Sequence, residues 1–282
     1  MNIKQSRLAI AVILLPILYS LLRFLPPLFF SLFLSATILR VQYEFYRLFF
    51  QDRARGVTNF GLGLGFLLSI CFFLKASFPG GALIPLSMIV FAGLMSVMLY
   101  TLFSFREIKS ALVDSSVLFL GVMYISGFLS HLIFIRHIPD GKFLIIFLLI
   151  VIWGGDAGAY YIGKAIGKRK LYPSVSPNKT VEGSFGGLLG SFMGGSLAKL
   201  TFLSIFSWGE LLLISLLLGG FGQLGDLAES LLKRSAGVKD SSSLVAAHGG
   251  LFDKLDSIAF AAPVFYYYLF WVKGVGQVIG LS

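Results

Sequence analysis

Apolar stretches long enough to cross a lipid bilayer recur along almost the whole chain. A transmembrane helix needs about 20 mainly apolar residues, and 57% of these 282 residues are hydrophobic while only 13% are charged. An ordinary soluble domain is about one-quarter charged. We therefore predict an all-α, polytopic integral membrane protein that leaves no room for a sizeable soluble domain.

Apolar windows between charged or Gly/Pro breaks predict about nine transmembrane helices. The first window is not followed by a small-residue cleavage site, so we interpret it as a span rather than as a removable signal peptide. The approximate cores of the predicted spans are Leu8–Leu22, Leu28–Leu39, Phe60–Phe78, Ala82–Tyr100, Leu112–Ile135, Phe143–Tyr161, Phe185–Phe206, Leu211–Leu232 and Phe252–Val272.

The basic residues fall unevenly on the two sides of this arrangement. Of the 23 lysines and arginines, 17 lie on the side that carries the N-terminus and six on the other. The richer side should be cytoplasmic, which places the N-terminus inside. The net charge of +10 is then explained by topology and anionic headgroups, not by nucleic acid. The six are Arg23, Lys75, Arg136, Lys142, Lys199 and Lys273.

The acidic residues cluster near the C-terminus. Ionisable residues beside spans are functional candidates, and topology sorting acts on Lys and Arg rather than on acids. We therefore predict a catalytic region over residues 141–282 and a transmembrane scaffold over residues 1–140. The single cysteine, Cys71, offers neither a disulfide nor a cysteine-based zinc site. The clustered acids are Asp226, Glu229, Asp240, Asp253 and Asp256.

Two groups within this cluster suit a metal and phosphate. On a helix, Asp226 shares a stripe with Lys233 and Arg234, which could hold a metal and phosphate oxygens; an ion-paired helix end is the alternative. Asp253 and Asp256, three apart, share a helix face and suit Mg²⁺, which takes one or two carboxylates. Two glycines after His248 allow close backbone approach to a ligand.

A third group lies upstream, around residues 156–183. Asp156 sits among apolar and small residues and should have a cationic or metal partner. The run Ser176-Pro177-Asn178-Lys179-Thr180 breaks the helix and offers hydroxyl, amide and ammonium donors for a phosphate or a base. Clusters of this composition also mark ordinary turns.

These residues together resemble the signature of the phosphatidate cytidylyltransferases, or CDP-diacylglycerol synthases. The resemblance rests on Ser230-Leu-Leu-Lys-Arg, Lys239-Asp240, His248-Gly-Gly and the pair Asp253 and Asp256. Segments 156–160 and 176–183 resemble further family elements in the same order, so that residues from about 150 to 265 are covered. Lys254 stands where the family usually has Arg, Ala246-Ala247 where it often has Pro-Gly, and Val181 where Trp is frequent.

The resemblance implies that CTP or dCTP reacts with phosphatidic acid to give CDP-diacylglycerol and pyrophosphate. It also implies Mg²⁺, a second cation that is K⁺ or Mg²⁺, and a bacterial cell membrane with the site facing the cytoplasm; a homodimer stays open. On this basis Asp226, Asp253 and Asp256 are the expected metal ligands, and Asp240 and His248 the orienting groups. The expected substrate contacts are Asp156, Ser176, Asn178, Lys179, Thr180, Lys233, Arg234 and Lys239.

Two other functions remain open from the sequence. A CTP-dependent lipid or polyprenol kinase would transfer the γ-phosphate and release CDP instead of pyrophosphate. A cation-coupled transporter would also place carboxylates in spans, but its inverted repeat is not visible, and lysines clustered with aspartates favour phosphate chemistry.

Overall fold

A computed structural model describes residues 16–50, 55–78, 85–105, 107–242 and 249–274. The described chain is almost entirely helical. Helix α1 covers residues 16–24, and the helices that follow are α2 (Pro27–Phe50), α3 (Arg55–Ser77), α4 (Leu86–Ser104), α5 (Ala111–Leu120), α6 (Phe128–His137), α7 (Gly141–Ile166), α8 (Val181–Thr201), α9 (Trp208–Ser235) and α10 (Phe252–Trp271).

Helices α5 and α6 belong to one long apolar helix, Ile108–His137. It begins with a short 3₁₀ turn, Ile108–Ser110, and its middle, Gly121–Gly127, is π-helical. This helix is largely buried, because α2 and α3 pack on one part of it and α10 on another. The long helix therefore connects the N-terminal helices with the last helix of the chain.

Helices α7 and α8 approach each other through glycine. A Cβ atom at Gly158 would overlap the carbonyl oxygen of Gly186, and one at Gly190 would overlap that of Gly154. Small residues at such positions let two membrane helices come into backbone contact. Both helices therefore supply glycines to this contact.

Two short antiparallel strands connect α7 to α8. Strand β1 (Lys170–Tyr172) pairs with β2 (Ser176–Thr180), with Lys170 opposite Thr180 and Tyr172 opposite Ser176. The Thr180 hydroxyl accepts a hydrogen bond from the Gly183 amide at 3.1 Å and caps α8. The helix break expected in this segment is therefore a β-hairpin that ends directly at a helix N-cap.

The prediction of an all-α polytopic membrane protein is confirmed. Each of the nine predicted spans overlaps a helix in the described part of the chain, and six described helices are long and apolar enough to cross a membrane. Helices α8 and α10 are not among those six. The count of nine and the cytoplasmic N-terminus stay predictions, as does the division at residue 140.

Candidate active site

The C-terminal half of α9 presents a charged face within an apolar helix. Asp226, Glu229 and Lys233 follow one another at spacings of three and four, which places them on one side of the helix. Glu229 is 1% exposed and Lys233 is 9% exposed. Burying charged groups to this degree is costly unless they are paired or bind an ion, so this face needs partners from elsewhere in the fold.

Helix α10 supplies the partners from the opposite side. Asp256 is 8% exposed and lies three residues after Asp253. Gly225 allows the close approach of the two helices, because a Cβ atom there would lie 2.6 Å from the carbonyl oxygen of Asp256. The two acidic faces therefore meet at this end of the helix bundle.

The meeting of these faces creates a group of three carboxylates. Oxygen atoms of Asp226, Glu229 and Asp256 all lie within 4.8 Å of one another. One oxygen of Glu229, Oε1, is buried and has no hydrogen-bond partner in the described part of the chain. Like charges this close repel one another unless a cation lies between them, and oxygen ligands suit Mg²⁺. The residues present therefore fit a divalent cation.

Two lysines border the carboxylate group. The Lys179 ammonium lies 2.6 Å from Asp226 Oδ2, and the Lys233 ammonium lies 2.7 Å from Glu229 Oε2 and 2.8 Å from Asp253 Oδ1. The Lys179 and Asp226 side chains are 26% and 38% exposed, whereas the Lys233 pairs are almost fully buried. The Lys179 ammonium is thus accessible to a ligand that would replace Asp226 as its partner. The Lys233 ammonium is held by two carboxylates inside the protein.

The β-hairpin positions Lys179. Its position on β2 directly precedes Thr180, the residue that caps α8. The Glu182 carboxylate accepts hydrogen bonds from the backbone amides of Lys168 at 3.0 Å and Arg169 at 3.2 Å, which ties the start of α8 to the end of α7. These bonds fix the direction in which the hairpin points, and so bring Lys179 to Asp226.

Asp253 holds the segment that precedes α10. Its carboxylate accepts hydrogen bonds from the Gly250 amide at 2.7 Å, the Ser241 amide at 3.2 Å and the Ser241 hydroxyl at 3.0 Å. Gly249 has φ +79°, a left-handed conformation that glycine adopts at no steric cost. Asp253 therefore acts on the loop and on Lys233, and it does not belong to the three-carboxylate group.

Glu44 reaches the same loop from α2, in the predicted scaffold. It is 1% exposed, and it accepts hydrogen bonds from the Ser242 hydroxyl at 2.9 Å and the Phe252 amide at 2.9 Å. It also pairs with Arg40 at 3.3 Å. A buried carboxylate with this many donors is fixed in place. The loop is thus held between α2 and α10.

The other predicted site residues differ in their exposure and contacts. Arg234 is exposed and donates to the carbonyl oxygens of Val175 and Val238 at 3.4 and 3.1 Å, so it joins the end of α9 to the hairpin. Asp156 is exposed on α7, within electrostatic range of Asp226 and Lys179. Lys239, Asp240 and Asn178 are exposed, Ser176 is half-buried, and His248 lies outside the described residues.

Two residues of the site were not assigned from the sequence. Glu229 was noted among the clustered acids but not as a ligand, although its spacing of three from Asp226 and four from Lys233 is visible in the sequence. Glu44 carries no such signal, because its partners Ser242 and Phe252 lie some 200 residues away along the chain.

Comparison with known proteins shows one family and several relatives of the same name. Residues 5–272 match the Cytidylyltransferase family. A phosphatidate cytidylyltransferase of Bacillus subtilis is 44% identical over 151 residues, 53% of this chain and 56% of the relative. One of Staphylococcus epidermidis is 37% identical over 182 residues, covering 64% and 66%, and one of Haemophilus influenzae is 42% identical over 147 residues, covering 48% and 49%.

These alignments span about half to two thirds of the length of the curated relatives. The family match extends over almost the whole chain, including the N-terminal helices that carry Glu44. The chain therefore belongs to the cytidylyltransferase family.

Proposed function

We propose that this protein is a phosphatidate cytidylyltransferase, which joins CTP or dCTP to phosphatidic acid and forms CDP-diacylglycerol and pyrophosphate. One observation carries the proposal. Three carboxylates from two helices converge at one end of an apolar bundle, between Lys179 and Lys233, in a chain of this family. Carboxylates that bind a metal beside ammonium groups that bind phosphate are what a nucleotidyl transfer between two anions requires.

The reaction needs alignment and charge neutralisation more than proton transfer. A phosphate monoester is largely ionised near neutral pH, so a lipid phosphate oxygen attacks the α-phosphorus of CTP without a general base. The bond from that phosphorus to the bridging oxygen of the β-phosphate breaks, and pyrophosphate leaves with the electron pair. Holding both reactants in line then supplies much of the rate.

The acidic residues have two roles in this proposal. Asp226, Glu229 and Asp256 would hold Mg²⁺, which when bound offsets the negative charge of the triphosphate. Asp253 would anchor the described residues on either side of the loop before α10, and Asp240 and His248 would act as orienting groups. The second cation implied by the family resemblance, K⁺ or Mg²⁺, would share this acidic region.

The basic residues would contact the substrates. Lys179 is half-buried and pairs with the more exposed carboxylate, so we assign it to a substrate phosphate. Arg234 and Lys239 lie at the exposed rim, where the triphosphate enters. The apolar helices let the acyl chains stay in the bilayer, and the source of CTP puts the site on the cytoplasmic face of a bacterial cell membrane.

The position of a radioactive label distinguishes this reaction from its rivals. Purified protein in detergent receives phosphatidic acid, Mg²⁺ and CTP labelled at either the α- or the γ-phosphate. We expect the lipid to gain the α-label and the γ-label to leave in pyrophosphate. Transfer of the γ-label to lipid would instead establish a kinase, and no transfer of either label would favour the transporter.

A variant links the reaction to the carboxylate group. Asp256→Asn keeps the size of the side chain and removes its charge, so α-label transfer should fall at least about a hundredfold, consistent with the several kcal/mol that a catalytic metal contributes. Asp114→Asn, on α5 and outside the site, should transfer label at the parent rate. Equal rates for all three proteins would contradict the assignment.

A further inference from the structure

A tyrosine from the predicted scaffold packs against α10, the helix that carries Asp256. Tyr124 belongs to the π-helical segment Gly121–Gly127, in the middle of the long helix Ile108–His137. Single π-helical turns inside α-helices occur frequently at functional sites. Tyr124 is 4% exposed, although it carries a hydroxyl group. A polar group buried to this degree calls for a partner.

The packing of the Tyr124 ring shows which part of α10 this side chain contacts. The ring contacts Phe252 and Phe260 edge-on, with centroid distances of 6.1 and 5.5 Å. These phenylalanines stand four residues before and four residues after Asp256, on the same face of α10. The tyrosine thus spans the turn of α10 that carries Asp256. The charged groups that act on its hydroxyl are Asp256, Glu229 and Asp226.

The Tyr124 hydroxyl is buried and has no hydrogen-bond partner among the residues that the structure describes. Within the same described part of the chain, Glu229 Oε1 is likewise buried without a hydrogen-bond partner. Leaving a buried polar atom unsatisfied costs about 1–3 kcal/mol. Two such atoms, one of them on a carboxylate of the group itself, indicate that the site is completed by a ligand with its own hydrogen-bonding atoms.

A hydrated divalent cation fits both unsatisfied atoms. Mg²⁺ retains several water molecules when carboxylates bind it, and those waters donate hydrogen bonds. The phenol oxygen accepts from a water, while Glu229 Oε1 is free to bind the metal. Groups that hold the outer shell of a metal site typically change metal affinity 10–100-fold when they are removed.

We infer that Tyr124 is a positioning residue of the metal site and that its hydroxyl holds a water molecule bound to the cation. The inference rests on the proposed function for the identity of the cation as Mg²⁺. On this inference the N-terminal half of the chain contributes to the metal site, through the π-helical turn that places Tyr124 against α10.

The test compares two tyrosines that lose the same atom. Tyr124→Phe removes the hydroxyl and keeps the ring between Phe252 and Phe260. Tyr268→Phe is the matched control, because Tyr268 is also buried with an unpartnered hydroxyl but lies about 18 Å further along α10 from Asp256. The measurement is the thermal unfolding temperature of the purified protein in detergent, titrated with MgCl₂ alone.

We expect the parent protein and Tyr268→Phe to be stabilised at the same Mg²⁺ concentration, and Asp256→Asn to show no such stabilisation. Tyr124→Phe should need roughly 10–100-fold more Mg²⁺. Without metal it should unfold no earlier than the parent, because it has lost an unsatisfied hydroxyl. A purely structural role would give the opposite pattern, with a lower metal-free unfolding temperature and an unchanged Mg²⁺ midpoint.

Two results would overturn the inference. One is an Mg²⁺ midpoint of Tyr124→Phe equal to that of the parent; the other is an equal shift in Tyr268→Phe. Failure of the proposed function gives a different result, since Mg²⁺ would still stabilise the protein and depend on Tyr124 while no CDP-lipid formed. The Mg²⁺ dependence of label transfer should show the same shift in midpoint, with the rate at saturating Mg²⁺ retained.

Discussion

At the scale of single residues, Lys233 connects the carboxylate group of α9 to Asp253, which holds the segment before α10. One ammonium lies within 2.8 Å of carboxylate oxygens from both Glu229 and Asp253. It offsets the charge of two buried acids, so that Asp226, Asp256 and the second oxygen of Glu229 are left for a cation. We therefore propose a structural role for Lys233, beside the phosphate contact that the sequence predicted.

Replacing Lys233 with Met should destabilise the protein strongly. The change removes the ammonium but keeps an apolar stem of similar length, which leaves two buried carboxylates without their cation. Breaking a buried ion pair in this way costs about 3–5 kcal/mol. Unfolding in a denaturing-detergent titration measures the loss. Lys239→Met, at an exposed position of the same motif, should unfold like the parent, and equal stability of the two variants would contradict this role.

Lys179 should behave in the opposite way. Its side chain is partly exposed and pairs with the more exposed carboxylate of the group, so its removal costs little stability. A charge-assisted hydrogen bond to a substrate phosphate contributes about 1.5–3 kcal/mol, so Lys179→Ala should lower kcat/KM for CTP or lipid about 10–100-fold. Lys170→Ala, exposed on the same hairpin, is the control. If Lys179→Ala has the kinetics of the parent, Lys179 contributes only to the positive charge that orients the protein in the membrane.

The sequence predicted some of these residues and not others for physical reasons. Asp226 and Asp256 stand out because charge is rare in apolar helices, and the structure brings both into one group. Asp253 has the same spacing signal, but amides of residues 241 and 250 occupy its oxygens. Spacing along a helix shows which side chains share a face; it does not show which backbone donors a loop brings to that face.

At the scale of elements, the loop before α10 depends on a helix from the other half of the chain. Glu44 of α2 accepts from Ser242 and from the Phe252 amide that starts α10. The helices were predictable because a long apolar segment in a membrane has few conformations other than a helix that satisfy its backbone hydrogen bonds. The β-hairpin and the Glu44 contacts could not be predicted, because short strands and tertiary contacts leave no periodic pattern of apolar residues in the sequence.

Glu44→Gln should loosen this loop. The amide keeps the shape of the side chain but loses the charge that strengthens its hydrogen bonds. Amide hydrogen exchange around residues 249–252 should become about tenfold faster, since about 1.4 kcal/mol of lost stabilisation corresponds to a factor of ten. Glu107→Gln, at an exposed position of the N-terminal half, should leave this exchange unchanged. Unchanged exchange in Glu44→Gln would show that Asp253 alone holds the loop.

At the scale of the whole molecule, topology decides which compartment supplies the nucleotide. The distribution of 17 basic residues against six predicts that the hairpin and the end of α9 face the cytoplasm. In a Cys71→Ser background, cysteines at Ser174 and Ser235 should react with an impermeant reagent only from inside, and a cysteine at Ser204 only from outside. Labelling of Ser174 and Ser235 from opposite sides would exclude the nine-span arrangement.

The two halves of the chain also share one site. Helix α10 packs against α2 and α6 as well as against α7 and α9, and the proposed scaffold contributes Glu44 and Tyr124. Sequence composition suggested a division at residue 140, because charges are concentrated after it. Composition does not record which helices pack together, and so it could not predict the contacts of Glu44 and Tyr124 across this boundary.

The location of a bound metal tests the account most directly. A structure of the protein with Mn²⁺ in place of Mg²⁺ would show the ion by its anomalous scattering. We expect the peak among the carboxylates of Asp226, Glu229 and Asp256, at roughly the 2.0–2.1 Å that Mg²⁺ makes with oxygen, with Tyr124 beyond a bound water. A peak bound by Asp253 and not by Glu229, or no ion within this group, would contradict the account.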